Sequence, residues 1–242
     1  MMDDEHFRVA ATAEQTAGAC GAWIIGELEL ILRSSDFATL AISGGSTPKL
    51  MFNAMAALPF DWSRLQIFWV DERCVPPDDA QSNYKLAKEH LLDRTDIQPR
   101  NVHRIRGEQP PEEAAADYIE EIRSSFGLGA GQLPSFDIIH RGIGDDAHTA
   151  SLFPGEPLIG DRTGIAAHVY VEKLHMHRVT LLPGVLMTAK KTVILAAGAD
   201  KADPIVNVFR GPEDPFKFPC QIATRGAHNA FWFLDESAAA KL

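Results

Sequence analysis

"FATLAISGGSTPKL" (Phe37–Leu50) decides the fold reading. It opens as a short apolar run, Phe37–Ser43, of the kind that forms a buried strand. Two glycines and two hydroxyls follow, and a short helix is predicted from Pro48 to about Ala57, since proline is well placed in a first helical turn. Upstream, Ala13–Leu32 reads as a helix that is apolar on one side. Downstream the pattern repeats. Strands are predicted at Leu65–Val70, Phe136–His140, the start of "HRVTLLPGVLMTA", Lys191–Gly198 and Asn229–Asp235. Helices are predicted at Asn83–Leu92, Pro111–Phe126, the end of "HRVTLLPGVLMTA" and Asp200–Arg210, with "DERCVPPDDAQS" as a polar loop. Strands alternating with helices predict an α/β fold, a doubly wound and mostly parallel sheet with helices on both faces. The most loop-like stretches, 127–134 and 211–219, are too short for an interdomain linker, so residues 1–242 read as one domain.

The chain has 242 residues and a formal charge of −10, from 33 acidic and 23 basic residues. Such a balance disfavours non-specific binding to nucleic acid or to an anionic membrane surface. An anionic ligand would need a local cluster of donors. The three cysteines, Cys20, Cys74 and Cys220, are odd in number and far apart, which predicts reduced thiols in a cytoplasmic protein. The acidic start "MMDDEHFRVA" lacks an apolar signal core. No stretch approaches the ~18 apolar residues of a membrane span.

In open parallel sheets, ligands bind beyond the carboxyl ends of the strands. Four predicted strands end in "SGGST", "DER", "GIGDDAHTAS" and "GADK", and these ends are expected to converge. Gly44 and Gly45 would let the backbone approach a ligand, and Ser46 and Thr47 add hydroxyls at a helix N-terminus, as suits a phosphate. The equally weighted alternative is a tight turn in which Ser46 or Thr47 caps the helix. Asp71 could bind sugar hydroxyls or handle a proton, and Arg73 could grip an anion; Glu72 is better read as an internal brace. His148 is the candidate base, since the unperturbed pKa of an imidazole lies near neutrality, and Asp146 could orient it or touch ligand hydroxyls. The other histidines lack such neighbours; His90, His103 and His228 read as surface or packing residues. Arg178 begins an apolar run. Lys201 lies in a helix's first turn, unfavourable against the macrodipole unless an anion offsets it. The bland alternatives are an ion pair at a strand edge for Arg178 and a solvated side chain for Lys201.

No metal site is predicted, because "LHMH" (Leu174–His177) has no carboxylate or cysteine at ligand spacing. Neither a GxSxG elbow nor a GxGxxG fingerprint is present, and the Gly44–Thr47 loop lacks the spacing and lysine of a nucleotide P-loop.

"ISGGSTPK", "FWVDERCVPPDDAQSNY", "GIGDDAHTASLFPG", "RVTLLPGVLMTAKK" and "AAGADKA" together resemble the 6-phosphogluconolactonase branch of the glucosamine-6-phosphate isomerase/deaminase superfamily, from about Ala38 to the C-terminus. The resemblance implies a doubly wound fold and hydrolysis of 6-phospho-D-glucono-1,5-lactone to 6-phosphogluconate, in the oxidative pentose phosphate pathway. It implies no metal or organic cofactor. It would make His148 the base that activates water, with Asp71 and Asp146 assisting. Gly44, Gly45, Ser46, Thr47, Arg178 and Lys201 would hold the phosphate, and Arg73 would lie near the sugar or phosphate. Two alternatives share the fold: a sugar-phosphate isomerase/deaminase and a non-catalytic sugar-phosphate sensor. Against the first, the deaminase pattern has a carboxylate five residues after the loop histidine, where this chain has Phe153. The chain departs from the family pattern at Ala147, usually glycine, and at Arg141, usually apolar. If position 147 needs a positive φ, alanine there costs about 1–2 kcal/mol or moves the loop.

Overall fold

A computed structural model describes residues 6–242; the acidic start "MMDDE" lies outside the described residues. Ten strands and seven α-helices follow in order. The strands are β1 (Phe7–Ala10), β2 (Ala38–Ile42), β3 (Leu65–Trp69), β4 (Asp71–Arg73), β5 (Val102–His103), β6 (Ile138–Arg141), β7 (Ala166–Val171), β8 (Met176–Leu181), β9 (Lys191–Ala196) and β10 (Ala230–Asp235). The helices are α1 (Ala13–Leu32), α2 (Ser46–Ala56), α3 (Asn83–His90), α4 (Pro111–Phe126), α5 (Pro183–Thr188), α6 (Ala202–Arg210) and α7 (Glu236–Ala239).

Seven strands form one parallel sheet in the order β1-β10-β9-β6-β2-β3-β5. Consecutive residues of Leu40–Ile42, Ile67–Trp69 and Val193–Ala196 are all buried. Neighbouring side chains of a strand point to opposite faces, so both faces of the sheet are covered, as expected for a doubly wound parallel sheet. From β2 the chain steps outward to β3 and β5, then returns to place β6 on the other side of β2. That reversal is the switch point of the sheet, where the crevice for a ligand opens.

The predicted helices and main strands are present, with boundaries shifted by a few residues. "DERCVPPDDAQS" is a correction: Asp71–Arg73 are not loop but β4, the edge of a second, antiparallel sheet in the order β4-β8-β7. A strand of Asp, Glu and Arg carries no apolar period. It is held by its ladder to β8 and by hydrogen bonds to its own carboxylates. Short β1 and β5 and the polar-interrupted β7 also escape the sequence pattern, being supported by neighbouring strands.

Candidate functional site

A cleft of about 200 Å³ sits at the switch point, lined by Ser43, Gly44, Asp71, Arg73, Asn83, Gly142–Gly144, His148–Ala150, Arg178 and Lys201. Six of the ten sequence-predicted site residues therefore meet in one place: Gly44, Asp71, Arg73, His148, Arg178 and Lys201. Gly45, Ser46, Thr47 and Asp146 lie just outside its lining.

The loop after β2 is built for backbone exposure. Gly45 is the N-cap of α2 with φ +132° and ψ 173°, a conformation open essentially only to glycine. No side chain caps the helix, so neither Ser46 nor Thr47 takes the capping role. The first-turn amides of α2 therefore have no side-chain partner at the cap. Gly44 is closely packed: a Cβ there would fall 2.0 Å from Asn83 Oδ1.

On the second sheet, Arg73 and Arg178 are direct cross-strand partners. Like charges set opposite each other repel, so the pair calls for an anion between or near them. The nearest fixed carboxylate helps little, because Arg178 Nη1 is 3.9 Å from Asp71 Oδ2. Burial lowers the Arg178 pKa and Arg73 lowers it further, against the opposing pull of Asp71. Lys201, in the turn before α6, is paired at 2.8 Å with Asp200, which is itself exposed.

Asp71 is buried and accepts a hydrogen bond from Ser151 Oγ at 2.7 Å. Asn83 Nδ2 donates to its main-chain carbonyl at 2.9 Å. Glu72 is a brace, as the sequence suggested, but not through arginine. Its carboxylate accepts from the amides of Arg73, Asn83 and Tyr84 and from Ser82 Oγ, closing the N-terminus of α3. Burial raises its pKa, and those donors oppose the rise.

The loop after β6 holds His148, the candidate base. Asp146 Oδ1 accepts from His148 Nδ1 at 2.6 Å and from the His148 amide at 3.0 Å. Asp146 Oδ2 accepts from Lys173 Nζ. Burial would raise the Asp146 pKa, but the hydrogen bonds from His148 and Lys173 win and hold it well below the usual carboxylate range. An ionised Asp146 only accepts, so Nδ1 carries the imidazole proton and the lone pair lies on Nε2. The ring is wedged between Phe153, stacked at 4.2 Å between centroids, and Gly144, where a Cβ would fall 1.9 Å from Nδ1. Ala147 does adopt a left-handed conformation, φ +64°, and is buried.

Asp145, Asp146 and His148 offer atoms within 4.8 Å of one another and are the cluster that could approach a cation. However, both Asp146 oxygens and His148 Nδ1 are already committed to each other and to Lys173. His103, read as a packing residue, is buried against Phe68, with its ring nitrogens facing Glu121 and Gln66. Cys20, Cys74 and Cys220 are free thiols. Among the described residues, no helix is long and apolar enough to cross a membrane. Sequence reasoning missed Asn83, Ser151 and Lys173. Asn83 stands in "SNY", Ser151 two residues past Thr149, and Lys173 within "VEKLHMH", none of them at a spacing that names a role.

The model of the glucosamine-6-phosphate isomerases/6-phosphogluconolactonase family matches residues 11–232. The chain belongs to this family. It is 37% identical over 201 residues to a 6-phosphogluconolactonase of Treponema pallidum, covering 82% of this chain and 83% of the relative. A Homo sapiens 6-phosphogluconolactonase is 35% identical over 206 residues, covering 83% and 79%. Among solved structures, 6-phosphogluconolactonase from Trypanosoma brucei superimposes with a TM-score of 0.87 at 25% identity, covering 99% of both chains. A monomeric glucosamine-6-phosphate deaminase also superimposes, with a TM-score of 0.80 at 17% identity over 98% of this chain and 99% of the other, which shows the shared fold alone.

Proposed function

We propose that this chain hydrolyses 6-phospho-D-glucono-1,5-lactone to 6-phosphogluconate, the second step of the oxidative pentose phosphate pathway. The observation that carries the reading is one cleft holding both an Asp-oriented histidine and three cations, Arg73, Arg178 and Lys201. The close curated relatives named 6-phosphogluconolactonase support it.

His148 Nε2 takes a proton from water as that water attacks C1 of the lactone. Asp146 holds the ring and stabilises the imidazolium. The tetrahedral intermediate then collapses, the ring C1–O5 bond breaks, and the imidazolium returns its proton to O5. The oxyanion donors are proposed among the backbone amides of the Gly142–His148 loop that are not already bonded within it; those of Gly144, Ala147 and His148 donate to the His148 carbonyl, the Gly144 carbonyl and Asp146 Oδ1. Arg73, Arg178, Lys201 and the Gly44–Thr47 turn hold the phosphate, and Asp71 meets the sugar. The phosphate clamp makes attack effectively intramolecular. Each of these roles is proposed for the named residue.

Phe153, packed on the His148 ring, fills the place where the deaminase pattern needs a carboxylate, which disfavours the isomerase reading. The strands of the parallel sheet run from residue 7 to 235, which supports one domain. Free cysteines support a reducing, cytoplasmic setting. No cofactor or metal is required by this chemistry, and nucleic acid is not proposed as a partner. The test is hydrolysis of freshly generated lactone with spontaneous opening subtracted. Saturable turnover of the phosphorylated lactone is expected; tight binding without turnover would favour the sensor reading instead.

A further inference from the structure

Arg141 ends β6 as a wholly buried cation, 0% exposed, with no carboxylate beside it among the described residues. Burial lowers its pKa. An unpaired buried guanidinium is costly, and the Nε of Arg141 has no hydrogen-bond partner, so its retention depends on the acceptors that reach its other nitrogens. Two do. Nη1 donates to Thr149 Oγ1 at 3.4 Å, and Nη2 donates to the main-chain carbonyl of Ile222. Thr149 in turn donates to the carbonyl of Gly142 at 2.9 Å, and the Cys220 amide donates to the carbonyl of Ala147 at 2.9 Å.

These bonds tie two segments together, the base loop and 220–224. The same two segments hold three of the four non-glycine residues with positive φ among the described residues: Ala147 at +64°, Ala150 at +53° and Ala223 at +56°. Ala150 adjoins Thr149, and Ala223 adjoins Ile222. Strained residues of this kind persist only where the surroundings over-determine them.

We infer that Arg141 is a positioning residue: it clamps the alanine-bearing base loop to the 220–224 segment and so fixes the depth at which His148 presents Nε2 to the cleft. A flat guanidinium suits the task because its fork of donors reaches both segments at once. The phosphate-side cations stand on β4, β8 and the turn before α6, outside both segments. The clamp therefore acts on turnover and leaves phosphate capture alone. The inference rests on His148 being the base.

The test compares wild type, Arg141→Met, Ala147→Gly and the double variant on fresh phosphorylated lactone, with His148→Ala as background. Arg141→Met should lower kcat by about a hundredfold, the scale of a 1 Å misplacement, and leave KM within about threefold. Glycine at 147 needs no clamp to hold a left-handed turn, so Ala147→Gly should leave kcat near wild type and restore much of it in the double variant. Wild-type kcat in Arg141→Met, a loss that glycine does not relieve, or a rise in KM with kcat intact would each overturn the clamp. If Arg141→Met does not fold, Thr149→Val removes the loop-side acceptor, and the same loss and rescue are expected of it. Full turnover in His148→Ala would instead sink the underlying assignment of the base.

Discussion

The loops after β2 and β6 flank the same crevice but are built in opposite ways. β2 is apolar apart from Thr39 and is followed by Ser43 and two glycines; Gly45 reaches φ +132° with no side chain to strain. β6 ends in buried His140 and Arg141, and its loop reaches left-handed φ at alanines. The difference follows from what each loop is proposed to present. A phosphate cradle presents backbone amides, so the best side chain there is none. A base must hold an imidazole in one tautomer at one depth, so its loop is fixed by side chains: Asp146, Lys173 and Phe153 around the ring, and Arg141 beneath.

Removing the base breaks the comparison most directly. His148→Ala should lose about 10²–10⁴ in kcat and keep its melting midpoint, since the ring contributes to the cleft and little to the core. Near-wild-type turnover after subtraction of spontaneous opening would move the base elsewhere. On the other side of the crevice, Arg178→Ala and Lys201→Ala should each weaken use of the phosphorylated lactone about tenfold or more, the worth of a charge-assisted hydrogen bond. Unphosphorylated gluconolactone should respond far less. Equal losses on both lactones would take these cations out of the phosphate site.

The buried polar end of β6 makes a third difference measurable. His140 is fully buried with neither ring nitrogen bonded, and burial pushes its pKa down to about 3. The unfolded chain binds a proton near 6.5 that the folded chain refuses. This contribution to stability is therefore fully present above pH 6.5 and is lost as pH falls toward 3, at up to about 1.4 kcal/mol per pH unit. Between pH 6.5 and 5, where most carboxylates stay ionised, the melting midpoint of wild type should fall more steeply than that of His140→Leu. Parallel slopes would show that the folded chain accepts the proton at His140.

The smallest effect is expected where the two loops come closest to exchanging designs. Ala147→Gly relieves a left-handed Cβ worth about 1–2 kcal/mol. It also removes a buried methyl worth about 0.8 kcal/mol from contact with the apolar cluster of Ile143, Ile194 and Trp232. The net change in stability should stay within about 1 kcal/mol, with kcat/KM equal or higher. Thermal melting and lactone hydrolysis check both. A glycine variant that is clearly less stable and no faster would show that the methyl contact outweighs the strain.

Much of this was legible in the sequence, for a local reason. Apolar runs with turn residues after them specify strands and their carboxyl ends, so the parallel sheet and the richness of "SGGST" and "GIGDDAHTAS" could be read directly. The α/β class, the family and the pairing of Asp146 with His148 need only residues close in the chain. Tertiary structure decided the rest. "DER" is a strand because β8, more than a hundred residues later, completes its ladder and sets Arg178 opposite Arg73. Glu72 is a helix brace because α3 folds back onto it. The left-handed φ of Ala147 is imposed by contacts that include Cys220, and Arg141 finds its acceptor at Ile222. Local propensity favours none of these conformations in isolation. They exist because partners distant in the chain supply the hydrogen bonds and packing that outweigh the local cost.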